Sequence, residues 1–381
     1  MTYLVIFSIA TILFGFASKN EKRYLALKLN GVYRVHISSV YRIIAICFLS
    51  ALAGVRASTV GADVTTYVLS SWNRVQNYSS IKDVLKFHNL EIGYEMLEYI
   101  ISRVSKDVHW LHFFTAVIIS GGVSRFSRSF GKKNSFVLSM FVFMCMYFNQ
   151  SLNIVRQWLA IAIYAGGVQY LLRKRPLHYF SICIVAMLFH SSAIITFPIY
   201  FIYVYLSEGK RYWKRVCVVL ILMLGVIAFF DKICLAFINI GILPVKYLHY
   251  FIESEGTSSI WMQIFSRLPL LLGGAILSKQ LKRNDHRSYI WYCFMLIDLL
   301  IGMLGSRFGY AARFSLYFGI WQCMYMSELY IVMKGKVKGK GKIAVGLIFS
   351  ILLLLYWYYC FVIRGFSVTY PYSSDILSWL N

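Results

Sequence analysis

Long apolar runs alternate with short clusters of basic residues along the whole chain. The runs cover residues 2–17, 36–55, 108–123, 134–149, 152–172, 216–231, 260–278, 288–305, 311–333 and 343–363. Most approach the length of about 20 apolar residues that a helix needs to cross the hydrocarbon core of a bilayer. The pattern therefore predicts an all-α, polytopic membrane protein, a helical bundle of about twelve spans in which residues 1–381 form a single membrane domain.

Six basic clusters separate these runs and predict the topology, because short cytoplasmic loops of inner-membrane proteins are rich in Lys and Arg. The clusters cover residues 19–34, 125–133, 173–175, 210–215, 279–287 and 334–342. Placing all six in the cytoplasm puts both termini outside. The first apolar run has its basic residues after it and none before it, so we expect a retained span and not a cleaved signal peptide.

One stretch between two basic clusters does not fit complete spans. Leu177 to Leu206 is about 30 residues long, which is too short for two crossings. We therefore predict a short re-entrant hairpin that turns near His190. Since irregular backbone at membrane depth needs a cover of protein or a water-filled cavity, we also expect a cavity beside His190.

Two segments are too polar to cross a membrane and are predicted to be periplasmic loops. The longer covers residues 56–107 and the shorter covers residues 232–259. In the longer loop, apolar residues from Ile92 to Val104 recur at helical spacing, while acidic residues occupy the other face. We expect an amphipathic helix there, lying on or beside the membrane domain.

Composition agrees with a lipid solvent and excludes several classes of protein. Hydrophobic residues make up 59% of the chain and charged residues only 14%, against roughly 25% charged residues in soluble proteins. The formal net charge of +24 is explained by basic cytoplasmic loops, so we expect no nucleic-acid partner. No C-x-x-C, P-loop, G-x-G-x-x-G or D-x-D motif is present, and we expect neither a metal nor a cofactor.

Several arginines on the predicted outer side are not explained by topology. An arginine within the bilayer costs at least about 2.5 kcal/mol and usually faces a cavity, a partner or a substrate. Arg156 begins an apolar run just after Asn153, while Arg307 and Arg313 flank an outer turn. Each has two interpretations, an interfacial side chain that reaches the lipid headgroups or a ligand for phosphate oxygens.

Tyr310, Arg313 and Tyr317 follow one another at the spacing i, i+3, i+7. Aromatic faces can stack on sugars and guanidinium groups match phosphate oxygens, so this stripe is a candidate substrate surface. An aromatic belt with basic neighbours is the alternative.

Acids and one histidine are the candidates for proton transfer. Asp63 lies just after the second run, between Arg56 and Tyr67; Glu91 begins the amphipathic segment, and His190 lies at the predicted turn. Side chains of these types serve as general acids and bases. A solvated or capping carboxylate, or a hydrogen-bonded structural histidine, is the alternative in each case.

Two further acids, Asp298 and Glu328, lie within predicted spans, where ionisable residues are functional candidates by default. A structural ion pair is the alternative, and Arg267 and Arg313 are the candidate partners of Asp298.

Arginines, tyrosines and acids on one side of a membrane frame suit an anionic, lipid-linked substrate. When a sugar leaves a lipid diphosphate, negative charge develops on the leaving oxygens. Fixed guanidinium groups stabilise that charge without a metal, and a positioned base can take the proton of the acceptor hydroxyl.

Five short elements, in this order, resemble those of EpsG-like, Wzy-type polysaccharide polymerases. They are Arg56…Gly61-Ala62-Asp63…Tyr67 (R…GxD…Y), Glu91-Ile92-Gly93-Tyr94…Leu97 (ExGY…L), Asn153–Ala160 (NxxRQxLA), Phe189–Ala193 (FHxSA) and Arg313–Phe318 (RxxxYF). Each element is short, and their shared order across most of the chain carries the resemblance.

The resemblance implies a polymerase of O-antigen or exopolysaccharide, active at the periplasmic face of the cell inner membrane. The growing glycan would move from undecaprenyl diphosphate to the non-reducing end of the next lipid-linked repeat unit, with release of undecaprenyl diphosphate. The implied fold is a helical bundle related to GT-C-type glycosyltransferases without a metal site. The implied partners are undecaprenyl-diphosphate-linked glycans and membrane lipids, and a chain-length regulator protein is a further candidate.

The candidate site residues fall into three roles. They are diphosphate binding by Arg156, Arg313, Arg307 and Arg56, proton transfer by His190, Asp63 and Glu91, and sugar contact by Tyr67, Tyr310 and Tyr317. His190 is the first candidate base. An O-antigen ligase shares this chemistry but usually centres on a larger outer loop. A flippase for the lipid-linked unit would favour two pseudo-repeated halves, which the sequence does not display.

Overall fold

The computed structural model describes residues 1–28, 32–208, 211–240 and 260–377. The chain forms two compact units, one of Met1–Ile194 with Gly339–Asn381 and the other of Ile195–Lys338. The single membrane domain expected from the sequence stays a prediction. Within the described ranges the regular structure is helical except for one antiparallel pair of strands.

Most helices of the first unit lie in its N-terminal part, Met1–Ile194. In chain order these are α1 (Thr2–Lys19), β1 (Tyr24–Lys28), β2 (Val32–His36), α2 (Ile37–Gly54), α3 (Leu69–Gln76), α4 (Ile81–Phe87), α5 (Ile92–Val104), α6 (Val108–Arg128), α7 (Phe136–Phe143), α8 (Asn149–Asn153), α9 (Val155–Gly166), α10 (Val168–Leu172) and α11 (Pro176–Phe189). The hairpin of β1 and β2 falls within the first basic cluster, where only a loop is predicted.

The second unit follows, and the chain then returns to the first. The second unit contains α12 (Thr196–Ser207), α13 (Tyr212–Ala228), α14 (Phe230–Asn239), α15 (Ile260–Ile276), α16 (Ser278–Asn284), α17 (Ser288–Leu304), α18 (Leu316–Gly319) and α19 (Trp321–Lys336); α20 (Lys340–Trp357) belongs to the first unit. Short π-helical turns cover Val64–Val68, Met144–Phe148 and Tyr358–Ile363, and 3₁₀ turns cover Gly131–Lys133, Ser191–Ile195, Ala311–Ser315 and Phe366–Val368.

Several helices are long and apolar enough to cross a membrane. Among the described residues four qualify directly, Thr2–Lys19, Ile37–Gly54, Phe136–Asn153 and Lys340–Ile363, and two bent pairs, α13 with α14 and α15 with α16, raise the number to six if each pair is one span. Three shorter apolar helices accompany them. The predicted polytopic helical bundle is confirmed, while the count of about twelve spans and the relation to GT-C folds stay predictions.

Small residues let the helices of the first unit approach closely. A Cβ at Gly122 of α6 would lie 2.4 Å from the carbonyl oxygen of Ala162 in α9, and one at Gly167 would lie 2.7 Å from Ile182 in α11. Close backbone approach at small residues is typical of helices that pack within a membrane. It fixes α9, which carries Arg156, between two neighbouring helices.

The stretch from Leu177 to Leu206 is interrupted where the pattern predicts. Helix α11 ends at Phe189, the 3₁₀ turn Ser191–Ile195 follows, and α12 begins at Thr196. The helix break at His190 is thus present. Because the chain passes into the second unit just after this turn, the re-entrant hairpin and its cavity stay predictions.

The long predicted loop, residues 56–107, folds into α3, α4 and α5. The amphipathic helix is present, but its acidic face is the buried one: Glu95 and Glu98 are 0% exposed, whereas Val104 at its end is 85% exposed. The cause is α3, from which Arg74 donates to Glu95 at 2.6 Å and Ser71 to Glu98 at 2.5 Å. The face that carries Glu95 and Glu98 is therefore not a solvent-exposed one.

The second predicted loop, residues 232–259, lies only partly within the described chain. Its first residues belong to α14, which ends at Asn239, and residues 241–259 lie outside the described ranges. The periplasmic location of both loops stays a prediction.

The C-terminal segment after α20 packs back onto the start of the long loop. The Ala57 N–H donates to the carbonyl of Ser373 at 2.9 Å, and the Gly61 N–H donates to that of Val368 at 2.8 Å. Nearby, the Tyr372 hydroxyl donates to the carbonyl of Leu52 at 2.7 Å. Residues 57–61 are thereby held by backbone hydrogen bonds from a segment more than 300 positions away in sequence.

Candidate functional site

The first side chain of the candidate site, Arg56, lies inside the first unit and not at its surface. It follows α2 directly and is 1% exposed. Its guanidinium group donates to the carbonyl oxygen of Leu152 at 2.6 Å and contacts Nδ1 of His112 at 3.2 Å. Arg56 as described therefore contacts the backbone that precedes Asn153, and its assignment to diphosphate stays a prediction that requires this packing to open.

The loop after Arg56 contacts the same stretch of backbone. Gly61 has φ of +103°, and a Cβ there would lie 2.9 Å from the carbonyl oxygen of Leu152. Two residues later the N–H of Asp63 donates to Oδ1 of Asn153 at 2.8 Å. Only glycine combines a positive φ with this close approach. The loop at residues 61–63 and the backbone at residues 152–153, about 90 residues apart in sequence, are therefore in close contact.

A helix break follows at Ile154, whose φ and ψ of −87° and 60° lie outside the helical region. Helix α8 ends at Asn153 and α9 starts at Val155. Asn153 and Arg156 therefore belong to two different helices and do not share one helical face. Arg156 lies in the first turn of α9 and is half-buried, whereas Gln157 is buried.

Arg156 forms an ion pair with Glu91, which precedes α5. Nη1 of Arg156 lies 2.5 Å from Oε2 of Glu91, and the two side chains are 20% and 19% exposed. Burial acts to raise the pKa of the Glu91 carboxyl, but the charge of Arg156 and the hydrogen bonds to the carboxylate act in the opposite direction, and the pKa lies below its ordinary value. Glu91 is thus an anion near neutral pH, bound to a cation that still faces solvent.

Tyr67 completes one side of this pair. It lies in the π-helical turn Val64–Val68, and the guanidinium carbon of Arg156 is 5.4 Å from the centre of its ring. About four tenths of Tyr67 is exposed (39%). A cation beside a partly open aromatic face is a surface on which a sugar ring and a phosphate group can both bind.

His190 approaches Glu91 from the end of α11. Its Nδ1 accepts the backbone N–H of Ser192 at 3.2 Å and lies 2.7 Å from the Ser192 hydroxyl oxygen, while the Ser191 N–H donates to Oε1 of Glu91 at 3.4 Å. The contact requires a glycine, because a Cβ at Gly93 would lie 2.7 Å from the carbonyl oxygen of Leu188. The FHxSA and ExGY elements are therefore in direct contact.

The second unit holds the remaining candidates. The Arg313 guanidinium carbon lies 4.9 Å from the centre of the Tyr310 ring, and Arg307 lies 3.6 Å from a carboxylate oxygen of Asp231. Tyr317 is completely buried, so contact between this ring and a sugar would require a rearrangement. Their roles in substrate binding stay predictions.

One alternative left open by the sequence is settled in this unit. Asp298 accepts from Nε and Nη2 of Arg267 at 2.7 and 3.0 Å, and from Gln322 at 2.6 Å. Arg267 is thus a partner of Asp298. Glu328 accepts from the hydroxyl of Ser288 at 2.6 Å. The ion pair of the structural interpretation is thus present for Asp298, whereas the contacts shown for Glu328 are hydrogen bonds from Ser288 and Asn284.

Sequence reasoning missed three contributors to the site. Asn153 accepts a hydrogen bond from the backbone of Asp63, and Ser192 donates one to His190. Gly93 allows α5 to approach α11 closely. All three belong to the elements of the resemblance, which was the available signal. Across the described ranges no three His, Cys, Asp or Glu side chains are grouped as a metal site would require, and independence from a metal stays a prediction.

Comparison with known proteins gives one result. The family model of the EpsG family matches residues 39–374, a range that includes every candidate site residue and the C-terminal segment that packs on residues 57–61. Comparison with curated proteins gives no match. Comparison with solved structures also gives none. The chain therefore belongs to the EpsG family, and it is a membrane protein with a polysaccharide-polymerase-like role.

Proposed function

We propose that this protein joins oligosaccharide repeat units carried on undecaprenyl diphosphate, at the periplasmic face of the inner membrane, and releases undecaprenyl diphosphate. The observation that carries the proposal is the meeting of Tyr67, Glu91, Arg156 and His190, which come from four separate segments of the first unit. These segments are four of the five elements that resemble the polymerase family.

Arg156 is the proposed ligand of the diphosphate. Glu91 accepts from one of its terminal nitrogens, and its other N–H groups make no hydrogen bond within the described part of the chain. They can therefore donate to phosphate oxygens. A guanidinium group that is already oriented in a half-buried site stabilises the charge that develops on the leaving diphosphate, since little reorganisation is needed.

Glu91 is then an orienting residue and not the base. Because the pKa of its carboxyl lies below the ordinary value, it has little tendency to take up a proton near neutral pH. Its proposed task is to hold Nη1 of Arg156 while the remaining N–H groups bind substrate.

The hydrogen bonds of His190 argue against its assignment as the general base. A backbone N–H is always a donor, so Nδ1 of His190, which accepts from Ser192, is unprotonated. The neutral ring then carries its proton on Nε2 and acts as a hydrogen-bond donor in this tautomer. We propose Asp63, whose backbone is fixed by Asn153, as the base.

The proposed reaction is a single displacement at the anomeric carbon of the growing chain. The acceptor hydroxyl oxygen of the incoming unit forms the new bond, and its proton passes to Asp63. The bond between the anomeric carbon and the phosphate oxygen breaks, and its electron pair leaves with undecaprenyl diphosphate beside Arg156. Tyr67 supplies an aromatic face for a sugar ring.

The decisive experiment is a reaction of the purified protein with defined undecaprenyl-diphosphate-linked repeat units, followed by separation of the products by length. We expect a ladder of products from the wild type, at least about 100-fold less product from Arg156→Ala, and an unchanged ladder from the control Arg42→Ala. Within the described ranges, Arg42 is hydrogen-bonded only to Ser38 and Ser39 of its own helix, α2.

A deletion strain separates the alternatives. Loss of a polymerase leaves single repeat units on lipid A-core, loss of a ligase leaves long glycan on the lipid carrier, and loss of a flippase leaves no surface glycan. A normal ladder of long chains in the deletion strain would contradict the proposal.

A further inference from the structure

Arg56 is a buried cation that has no carboxylate partner in the part of the chain that the structure describes. It is 1% exposed, and no carboxylate oxygen lies within 4 Å of it among the residues that the structure describes. Its Nε also has no hydrogen-bond acceptor there. Removing a charge from water carries a large desolvation penalty, so the contacts that Arg56 does make must be strongly favoured.

The main contact explains how the helix break before Arg156 is stabilised. In a continuous helix the carbonyl oxygen of Leu152 would accept from the backbone N–H of Arg156, four residues later. Here it accepts from the Arg56 guanidinium at 2.6 Å. Charge-assisted hydrogen bonds are roughly twice as strong as neutral ones, so Arg56 stabilises a carbonyl at the end of α8 that the break leaves without its helical partner.

The loop that carries Arg56 is itself fixed on two sides. Towards the break, Asp63 donates to Asn153 and Gly61 lies against Leu152. On the other side, Ala57 and Gly61 donate to carbonyls of the C-terminal segment. Neither connection involves the side chain of Arg156, so the loop provides an independent support for the break.

We infer that Arg56 is a positioning residue: it holds the helix break at Leu152–Ile154 so that α9 starts with Arg156 facing Glu91 and Tyr67. The inference rests on the proposed role of Arg156, and it assigns to Arg56 no contact with substrate. Loss of Arg56 changes the direction of Arg156 while the rest of the first unit stays folded.

The first test needs no substrate. Hydrogen–deuterium exchange is measured on intact wild type, on Arg56→Gln and on the matched control Arg42→Gln. We expect the amides of Ile154 and Trp158, which donate to the carbonyls of Gln150 and Ile154 on either side of the break, to exchange at least about tenfold faster in Arg56→Gln, with other helices and the control unchanged. If Arg56→Gln does not fold, Asn153→Ala removes the other side of the support and has the same expected signature. Unchanged exchange at Ile154 and Trp158 overturns the inference.

The second test separates positioning from direct contact. Binding of undecaprenyl diphosphate is measured for Arg56→Gln, Arg156→Gln and the double variant. We expect Arg56→Gln alone to weaken binding about tenfold and to add less than about twofold in the Arg156→Gln background, because residues that act through one another are not additive. Losses that multiply in the double variant show direct contact and overturn the inference. If the wild type does not bind but the exchange result is as expected, the proposed function fails and the positioning role stands.

Discussion

The two units each contain an arginine–carboxylate pair, and the pairs differ in how completely their polar atoms are used. In the second unit, Arg267 donates to both oxygens of Asp298, which also accepts from Gln322. In the first unit, Arg156 donates to Glu91 through Nη1 alone. Asp298 is 1% exposed, whereas Glu91 and Arg156 each keep about a fifth of their side-chain surface.

This difference shows how one pair of chemical groups serves two purposes. A buried pair stabilises a fold only when its geometry is excellent and further hydrogen bonds satisfy it, as for Asp298. A pair with unused donors and partial exposure contributes less to stability but can bind an anion at little cost in reorganisation. We therefore expect substitutions in the second unit to lower stability, and those in the first to lower activity.

The largest expected effect is the loss of Asp298. Asp298→Ala leaves Arg267 as a largely buried cation without its carboxylate, and we expect the free energy of unfolding to fall by about 3 kcal/mol. The measurement is the yield of folded protein and its thermal midpoint in detergent. The control is Asp231→Ala, which removes a more exposed carboxylate 3.6 Å from Arg307 and should cost less than about 1 kcal/mol. Equal effects of the two substitutions would contradict the comparison.

The second effect concerns Arg156. Arg156→Lys keeps the charge but loses the planar set of donors, and we expect chain extension to fall about 100-fold while the thermal midpoint stays unchanged. The matched substitution Arg267→Lys should do the reverse, with a lower midpoint and an activity per folded molecule close to that of the wild type. Full activity of Arg156→Lys would show that recognition by a guanidinium fork is the wrong account.

Sequence patterns predicted the long helices well and their interruptions unevenly. The break at His190 follows from a length argument that needs no other part of the chain. An interruption between the runs 134–149 and 152–172 is also predicted, but its position at Ile154 is not, because no proline or glycine marks it. Arg56 and Gly61 act there from about 90 residues away. Local pattern contains no information about such a contact.

The amphipathic helix α5 shows a second limit. Its pattern gave the correct helix, but not the face that is buried, since Glu95 and Glu98 find partners on α3. In water the apolar face would pack inward, whereas beside a bilayer it can face outward. The sequence also could not decide between Arg267 and Arg313 as the partner of Asp298, because spacing along the chain does not give the distance between helices.

Glu98 is another buried acid, and we expect its titration to have a smaller effect on stability. Burial, and then the charge of Glu95, raise its pKa, which is about 8, although a hydrogen bond from Ser71 opposes them. The folded state then holds a proton that the unfolded state releases above its ordinary pKa of 4.5, so the stabilisation is complete below that pH and is lost as the pH rises towards 8.

We expect the free energy of unfolding to fall by up to about 2 kcal/mol between pH 6 and pH 8 in the wild type, and Glu98→Gln to remove this slope. Thermal midpoints across that pH range measure it. Asp83→Asn, at an exposed helix start in the same segment, is the control and should leave the slope in place. If the slope persists in Glu98→Gln, another titrating group causes it.

The smallest expected effect decides what Glu91 does in the site. Glu91→Gln keeps the size of the side chain and an oxygen for Arg156, but removes the charge. If Glu91 orients Arg156, chain extension should fall about tenfold, whereas a loss of about 1,000-fold or more would make Glu91 the base.

The pH dependence gives an independent check on that assignment. Because the pKa of Glu91 is lowered, its ion pair is complete above the ordinary carboxyl pKa and is lost only as the pH falls through the lowered value. Between pH 5 and pH 8 the pair therefore does not titrate, and any change in rate there comes from another group. The rate profile of Glu91→Gln should run parallel to that of the wild type over this range, while Asp63→Asn, which removes the proposed base, should lower the rate at every pH in it.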